Sequence, residues 1–349
     1  MNSKAVQKGL VSCECLMSLR VCVKRILKYL WLIPCALASA YADSRPLFFD
    51  VIDYSPFRGS QAPWGAQPSY KQIQDDIRML KPYTHEVRLY SMGGTTDQIL
   101  EVCMQEGMGV HLQAWLGPEH DDLRWKRANE NQVKALIWTA NQYARDPEKR
   151  NLIKSLIVGS ENLYRRDLQG GPEMEESELI EYIKKVKEET KDTLYPVTTA
   201  QTYPEYSAKL AGSVDRILYH VHPFWEGLPI EEAADRVVET LRLMKRNLKA
   251  WEDAGLVGAS EKPVFIGETG WPTQGENHGR AVPSEENQRL FLEDLNEKLA
   301  RYHASEDSRV QVMYFDAFDE AWKGSQEGNV GGYWGLFTAE RQPKLGMSR

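Results

Sequence analysis

Two glutamates follow short apolar segments and are the residues best placed to do chemistry. Glu161 ends the segment SLIVGSE and Glu268 lies in VFIGETGW, with a glycine within two residues of each acid. Two carboxylates that face one cavity can cleave a glycosidic bond, because one protonates the leaving oxygen while the other attacks the anomeric carbon or activates a water. A single acid at a strand end is usually a capping or salt-bridge partner, but two acids in matching settings favour catalysis.

Apolar segments of strand length alternate with longer amphipathic segments, and these elements must position the two acids. The predicted strands lie within residues 46–56, 85–91, 109–116, 155–161, 195–203, 216–225, 263–271 and 310–322. Helices are predicted at 69–80, 95–106, 129–145, 177–191, 230–254 and 284–303, with Ser177 and Ser284 as N-caps. The connection at 205–214 is short and less clearly helical.

This alternation predicts an α/β fold, the (β/α)8 TIM barrel, in a single domain. Active sites in such barrels lie at the C-terminal ends of the strands, which is where both glutamates fall. A doubly wound open sheet is the alternative. It requires a glycine-rich phosphate turn after the first strand, and DYSPFRGSQAP is not such a turn.

Four tryptophans also fall at predicted strand ends. They are Trp115, Trp225, Trp271 and Trp322. Sugars present an apolar C–H face that stacks on flat aromatic rings. Any one of these tryptophans could equally be a core residue, but four at one rim favour sugar binding.

Several motifs resemble the signatures of glycoside hydrolase family 17, the β-1,3-glucanase family. They are IVGSENLYR, HPFW, VFIGETGWPT, and YFDAFDEAWK followed by GGYWGLF, and the resemblance spans residues 48–337. It implies a TIM barrel in which Glu161 is the general acid/base and Glu268 the nucleophile of a retaining mechanism, without a metal or organic cofactor. The chain looks like a bacterial-type member of this family.

The activity expected from this resemblance is that of an endo-1,3-β-glucanase. A β-1,3-glucan glucanosyltransferase using the same site is one alternative, and a barrel that binds glucan without cleaving it is another. Acid catalysis at neutral pH leads us to expect a raised pKa for Glu161.

Other positions match family segments less specifically. The segments SPFRGSQAP and VRLYS make Tyr54, Arg88 and Tyr90 candidates for sugar contact or for orienting the carboxylates, with hydrogen bonding inside the barrel as the alternative. Glu320 and Lys323 in FDEAWK match in supporting roles.

Two positions depart from the family pattern. Many members have asparagine where Ser160 stands, and that asparagine holds the 2-hydroxyl of the sugar, so the shorter serine would lose this bond or replace it through water. Many plant-type members read Asn-x-Tyr-Pro where this chain has HVHP, so His222 replaces a tyrosine near the nucleophile.

His220 and His222 form the pattern His-x-His, which a metal site would also use. Strand alternation puts both side chains on one face, which is a spacing that metallohydrolases use. The remaining histidines show no ligand-like spacing. A hydrogen bond from His222 to Glu268 is therefore favoured, and it would make activity depend on pH.

The first 42 residues resemble a signal peptide. Basic residues precede the apolar run YLWLIPCALASAYA, whose small-x-small ending predicts cleavage after Ala42 and a catalytic domain over 43–349. Met17 is an alternative start, and an uncleaved anchor is an alternative fate. Four of the five cysteines lie in this leader, so no disulfide is expected in the secreted or periplasmic product.

Composition and charge narrow the class of partner. The chain has 349 residues, 42% of them hydrophobic, and a formal net charge of −7. Loss of the leader removes six basic residues and one acidic residue, which leaves −12. Such a surface repels nucleic acid and anionic membranes, so the expected partner is neutral or cationic, as a β-1,3-glucan polysaccharide or oligosaccharide is. A monomer without stable membrane insertion is expected.

Overall fold

A closed parallel barrel forms the centre of the protein. The computed structural model describes residues 49–119, 123–166, 170–257, 262–306, 310–324 and 327–347. Within these ranges the strands are β1 (Val51–Asp53), β2 (Glu86–Arg88), β3 (Gly109–Ala114), β4 (Ile153–Ser160), β5 (Val197–Thr202), β6 (Ile217–His220), β7 (Val264–Thr269) and β8 (Val312–Tyr314). Each strand pairs with its neighbour in sequence, and β1 pairs with β8 to close the barrel. In this order β8 stands opposite β4.

Helices surround the barrel. Those in the described ranges are α1 (Tyr70–Leu80), α2 (Thr96–Glu106), α3 (Leu123–Arg145), α4 (Glu176–Glu189), α5 (Ala208–Ser213), α6 (Ile230–Asp253) and α7 (Glu285–Ser305). Short 3-10 helices occupy Tyr203–Glu205, Ala321–Lys323 and Leu345–Met347. After β8, the described residues 315–324 and 327–347 contain the last two of these 3-10 helices and no α-helix.

The helix starts follow from local capping. Ser69 forms a capping box with Gln72 at the start of α1, and the Ser284 side chain accepts from the Asn287 amide at the start of α7. The cap of α4 is Glu175, not the predicted Ser177, because the Glu175 and Glu178 side chains form the capping box there.

The barrel has two apolar cores because its strands are covered on both faces. Inside the barrel lie Val51, Ile157, Ala200, Leu218 and Met313. Between the strands and the helices lies a much larger cluster. The inner cluster fills the barrel below the strand ends, so polar side chains that follow it along the strands face the mouth.

The predicted alternation of strands and helices around a barrel is therefore confirmed at the level of a closed, eight-stranded parallel barrel. Helix α3 begins six residues before the predicted position 129. The predicted leader, residues 1–42, lies outside the described residues. Across those that are described, no helix combines the length and the apolar character needed to cross a bilayer.

Candidate active site

Glu161 follows β4 directly, in a backbone conformation that few residues with side chains adopt. Its φ is 56° and that of Gly159 is 73°, both in the left-handed region. The Glu161 amide donates to the Ala200 carbonyl at 2.8 Å, which ties this turn to β5. Left-handed conformations of residues other than glycine cost of order 1–3 kcal/mol and cluster at functional sites.

Glu268 lies on β7, and the glycine before it makes room for a histidine. A Cβ at Gly267 would lie 2.9 Å from Cδ2 of His220 and 2.8 Å from Cγ of Leu218. The pairing between β6 and β7 also skips Gly267, so that Tyr219 pairs with Ile266 and His220 with Glu268. The histidine and the acid are therefore direct neighbours across the two strands.

His220 bridges the two glutamates. Its side chain is fully buried, with Nδ1 3.0 Å from Oε1 of Glu161 and Nε2 3.4 Å from Oε1 of Glu268. One oxygen of each carboxylate lies within 4.8 Å of the other. The two acids that the sequence places 107 residues apart thus share one imidazole.

Arg88 holds Glu268 from the floor of the site. It is fully buried on β2 and its Nη1 donates to Oε1 of Glu268 and to the Gly267 carbonyl, both at 2.8 Å. The same guanidinium donates to Asp53 at 3.2 Å and to Gln113 at 2.6 Å. These four acceptors fix the guanidinium, which holds Oε1 of Glu268, whereas Oε2 faces His222.

Burial and charge act in opposite directions on the two acids. Burial alone would raise the pKa of Glu268, but the charges of His220 and Arg88 hold it well below its usual range. Burial also raises the pKa of Glu161, but the hydrogen bond and charge of His220 outweigh it, and the net pKa is lowered. The expected raised pKa of Glu161 is therefore not found in the unliganded protein.

His222 borders Glu268 on its outer side. Its Nε2 lies 3.4 Å from Oε2 of Glu268, and its ring packs edge-on against Phe315 and Trp334 at 5.6 and 5.3 Å. Nδ1 is buried, with no hydrogen-bond partner among the described residues. A substrate hydroxyl that reached it could form this bond.

A cavity of about 670 Å³ opens beside the two glutamates. It extends over the loops after β5 and β6, where Tyr203, Glu205 and Trp225 line it, and Tyr164 and Arg165 line it next to Glu161. Its aromatic and charged walls suit a polar ligand with apolar faces, as a sugar has.

Comparison with known proteins identifies the family. The model of the BtgE/BtgC glycoside hydrolase domain matches residues 51–335. The chain belongs to this family. Its two glutamates and the cavity beside them lie inside the matched region of the BtgE/BtgC domain.

Individual relatives of this BtgE/BtgC domain are moderately similar to it. A glucan 1,3-beta-glucosidase of Arthroderma benhamiae is 28% identical, over 89% of this chain and 95% of that protein. The btgC protein of Aspergillus niger, which carries the name glucan endo-1,3-beta-glucosidase, is also 28% identical, over 86% of this chain but only 43% of its own length. The chain thus spans less than half of the btgC relatives that it matches.

Among solved structures, the glycoside hydrolase family 17 β-1,3-glucanosyltransferase from Rhizomucor miehei is similar, with a TM-score of 0.67 and 27% identity over 86% of this chain and 97% of that one. The resemblance to family 17 is thereby supported. The narrower expectation of a bacterial-type member is not, because the matched relatives are fungal.

The BtgE/BtgC domain brings several other predicted residues to the site. Trp225 and Lys323 line the main cavity. Glu320 is buried, pairs with Lys323 at 2.5 Å and accepts from Nε1 of Trp322 at 3.1 Å. Ser160 is buried, with its Oγ 3.5 Å from Nη2 of Arg88. Trp225, Lys323 and Ser160 thus lie at the cavity or against Arg88, Glu320 and Trp322 adjoin Lys323, and the roles of all five toward a sugar stay predictions.

Tyr90 and Trp115 each lie against an arginine, and Cζ of Arg88 is 5.6 Å from the centre of the Tyr90 ring. Tyr90 faces a second cavity of about 220 Å³ between the loops after β1 and β2. Its hydroxyl has no partner within the part of the chain that the structure describes. Trp115 is partly exposed and stacks under the guanidinium of Arg165 at 4.2 Å.

Trp271 and Tyr54 are placed differently from the prediction. Trp271 is fully buried, packs against Phe224 and Phe291, and donates from Nε1 to the Val282 carbonyl at 3.0 Å. Its ring therefore belongs to the layer between β7 and α7 and, being fully buried, exposes no surface to the cleft. The Tyr54 hydroxyl is likewise buried and donates to Asp76 at 3.2 Å, which is the barrel-interior alternative.

The sequence-based reasoning missed three residues at the site. Phe315 and Trp334 form the wall beside His222, and Gln113 fixes Arg88. Trp334 lies in the motif GGYWGLF, which was noted only as part of the family resemblance. That motif was the available signal, whereas Gln113 has none apart from its place near the end of β3.

One set of residues has the composition of a metal site. Among the described residues, Glu161, His220, His222 and Glu268 place one ligand atom each within 4.8 Å of one another. The two nitrogens of His220 already face different carboxylates, and Arg88 already supplies a positive charge at Glu268. A cation here would have to displace these bonds, so the contacts favour an acid pair organised by hydrogen bonds.

Proposed function

We propose that the protein cleaves β-1,3-glucan with retention of configuration, using Glu161 as the acid/base and Glu268 as the nucleophile. The observation that carries this proposal is the short separation of the two carboxylates, one oxygen of each lying within 4.8 Å of the other. Retaining enzymes hold their carboxyl groups roughly 5–5.5 Å apart, whereas inverting enzymes need about 6.5–9.5 Å to admit a water.

The reaction follows from the contacts of each acid. Arg88 keeps Glu268 ionised and holds Oε1, so Oε2 attacks the anomeric carbon. Glu161 gives its proton to the leaving oxygen, and the glycosidic bond breaks as the bond to Glu268 forms. In the second step Glu161 takes a proton from the incoming hydroxyl, whose oxygen displaces Glu268 from the sugar.

The charge of Glu268 couples the two steps. This charge raises the pKa of Glu161 in the free protein and disappears when the glycosyl ester forms. The pKa of Glu161 then falls, which suits its change from acid to base. His220 is in contact with both acids and lowers the pKa of each.

The substrate class rests on the relatives and on the walls of the cleft. The named relatives are glucan 1,3-beta-glucosidases, and the cavity combines tryptophan and tyrosine rings with hydrogen-bonding groups. A neutral glucan also fits the net negative charge of the chain, because it suffers no repulsion.

Transfer to a second glucan is the other candidate activity. The observation that favours it is the similarity to a β-1,3-glucanosyltransferase at 27% identity. The cavity extends from Glu161 over the loops after β5 and β6, where Trp225 and Tyr203 offer rings to an acceptor sugar. An acceptor held there would compete with water for the glycosyl ester.

The test is to incubate the protein with laminari-oligosaccharides and to follow the products by mass spectrometry. Shorter products alone indicate hydrolysis, and products longer than the substrate indicate transfer.

Glu161→Gln and Glu268→Gln should each lower turnover by several orders of magnitude without unfolding the protein. Glu188→Gln on α4, whose side chain is 74% exposed, is the matched control. Wild-type turnover in a folded Glu268→Gln variant would overturn the assignment, and tight binding without turnover in the wild type would indicate a binding module.

Export and a monomeric state complete the proposal. The basic and apolar pattern of residues 1–42 supports export with cleavage after Ala42. Amino-terminal sequencing of secreted protein and light scattering test these two points directly.

A further inference from the structure

An exposed tryptophan stands on the loop between β1 and α1. Trp64 is 74% exposed, the most exposed tryptophan of the described residues. An exposed indole can stack on the apolar C–H face of a sugar ring. A role for Trp64 in binding glucan presupposes the proposed action on β-1,3-glucan.

The turn that carries Trp64 is held in place by hydrogen bonds. The side-chain amide of Gln67 donates to the carbonyls of Ala62, Pro63 and Gly65 at 3.0–3.4 Å. The Gly65 amide also donates to the Ala62 carbonyl at 3.0 Å. The indole is therefore presented to solvent by an ordered turn, which lowers the entropic cost of binding.

Trp64 continues an aromatic path that begins beside the nucleophile. Its ring meets that of Trp322 edge-on at 5.2 Å, with an angle of 89° between their planes. The Lys323 ammonium lies 5.5 Å from the Trp322 ring and 4.8 Å from Phe315, and Phe315 packs on His222. Contacts through Trp322, Lys323 and Phe315 thus connect Trp64 to the Glu268 side of the cleft.

The barrel order decides which part of a glucan would lie there. The leaving sugar must be next to Glu161 on β4, and Trp64 and Trp322 follow β1 and β8, on the opposite side of the barrel. The sugar attacked by Glu268 carries the rest of the non-reducing side of the chain. That side is therefore directed toward the two tryptophans.

We infer that Trp64 and Trp322 form a distal subsite for the non-reducing side of a β-1,3-glucan chain. Rings at right angles cannot both lie flat against a straight ribbon of sugars. A 1,3-linkage joins carbons that are not opposite one another on the ring, so the chain curves and turns successive sugar faces. The pair therefore fits a curved β-1,3-glucan and discriminates against a flat β-1,4-glucan.

The experiment compares Trp64→Ala with wild type on laminari-oligosaccharides of increasing length, labelled at the reducing end. The expected result is a fall in kcat/KM of about 2- to 12-fold on the longest substrates and no change on the shortest that is cleaved. Without the distal contact the chain should also bind further toward the Glu161 side. Cleavage should then release longer labelled fragments.

Trp138→Ala is the matched control, because Trp138 is 61% exposed on α3, in the outer helix layer. It should leave the rate and the fragment pattern unchanged at every length. An equal loss at all lengths, or no loss on the longest substrate, would overturn the subsite. Excess cello-oligosaccharide should not inhibit, and inhibition that disappears in Trp64→Ala would overturn the linkage preference.

These outcomes are separate from those that test the proposed function. If Glu268→Gln abolishes turnover while Trp64→Ala has no effect at any length, only the subsite fails. If Glu268→Gln retains turnover, the proposed function fails whatever Trp64→Ala does.

Discussion

Nδ1 of His220 lies 3.0 Å from Oε1 of Glu161, inside a barrel where neither nitrogen of the imidazole meets solvent. Through its other nitrogen the same ring faces Glu268 at 3.4 Å. Because His220 lowers the pKa of both acids, it sets the pH range in which one is protonated while the other is ionised.

Replacing His220 with asparagine should move both limbs of the pH profile of kcat/KM to higher pH. Without the imidazole, burial raises the pKa of Glu161 and that of Glu268 with less opposition. The basic limb follows loss of the Glu161 proton and the acid limb follows protonation of Glu268, so both limbs should move to higher pH. His303→Asn, on α7, should leave the profile in place. If the pH profile of kcat/KM in folded His220→Asn were unchanged or moved to lower pH, this account would be contradicted.

Arg88→Lys should impair catalysis more than folding. Lysine keeps the charge but cannot reach Asp53, Gln113 and Glu268 together as the guanidinium does. We expect kcat/KM to fall on the order of 100-fold while the protein remains folded. Kinetics and thermal melting of the same preparation measure both effects. Near-normal activity would mean that Glu268 does not need this orientation.

Arg88→Met should then affect stability as well. It leaves the buried Glu268 without the guanidinium that donates to its Oε1, at a cost of about 3–5 kcal/mol in the free energy of unfolding. Urea denaturation of Arg88→Met and Arg88→Lys separates the loss of charge from the loss of geometry.

Trp271 and Trp225 should respond to truncation in different ways. Trp271 is fully buried, so Trp271→Ala should lower the free energy of unfolding by about 3–5 kcal/mol with little change in KM. Trp225 lines the cavity, so Trp225→Ala should raise KM about 2- to 12-fold with a smaller loss of stability. Denaturation and steady-state kinetics distinguish them. Trp271→Phe keeps most of the packing. If this variant also raised KM strongly, Trp271 would have to be assigned a contact with the sugar.

Removal of divalent ions should leave activity unchanged. Arg88 already supplies the positive charge beside Glu268, and His220 is engaged by both acids. Activity should therefore be the same after dialysis against EDTA as before it. A loss that zinc restores would instead assign Glu161, His220, His222 and Glu268 as ligands.

The sequence was sufficient to predict the alternation of elements and the two acids at strand ends. Apolar strands of a closed barrel are buried on both faces, which makes a carboxylate after such a run conspicuous. The start of α7 was predictable because Ser284 caps the helix. At α4 the cap is Glu175, because its side chain and that of Glu178 form the capping box, which leaves Ser177 inside the first turn.

The relationship of His220 to Glu268 could not be predicted. It depends on the shift in pairing that skips Gly267, and strand alternation assumes a regular register. Trp271 was misplaced for a similar reason. It lies beyond the last residue of β7, where the alternation of side chains along a strand no longer predicts the direction of a side chain.

The backbone of Glu161 has a consequence for the history of such a protein. At a φ of 56°, glycine would be free of the steric cost that a side chain carries, so substitution by glycine would remove the backbone strain of this turn together with the acid. Stability therefore favours glycine at position 161, whereas catalysis requires glutamate. In a lineage without selection for cleavage, substitution by glycine would give a more stable barrel that has lost its catalytic activity.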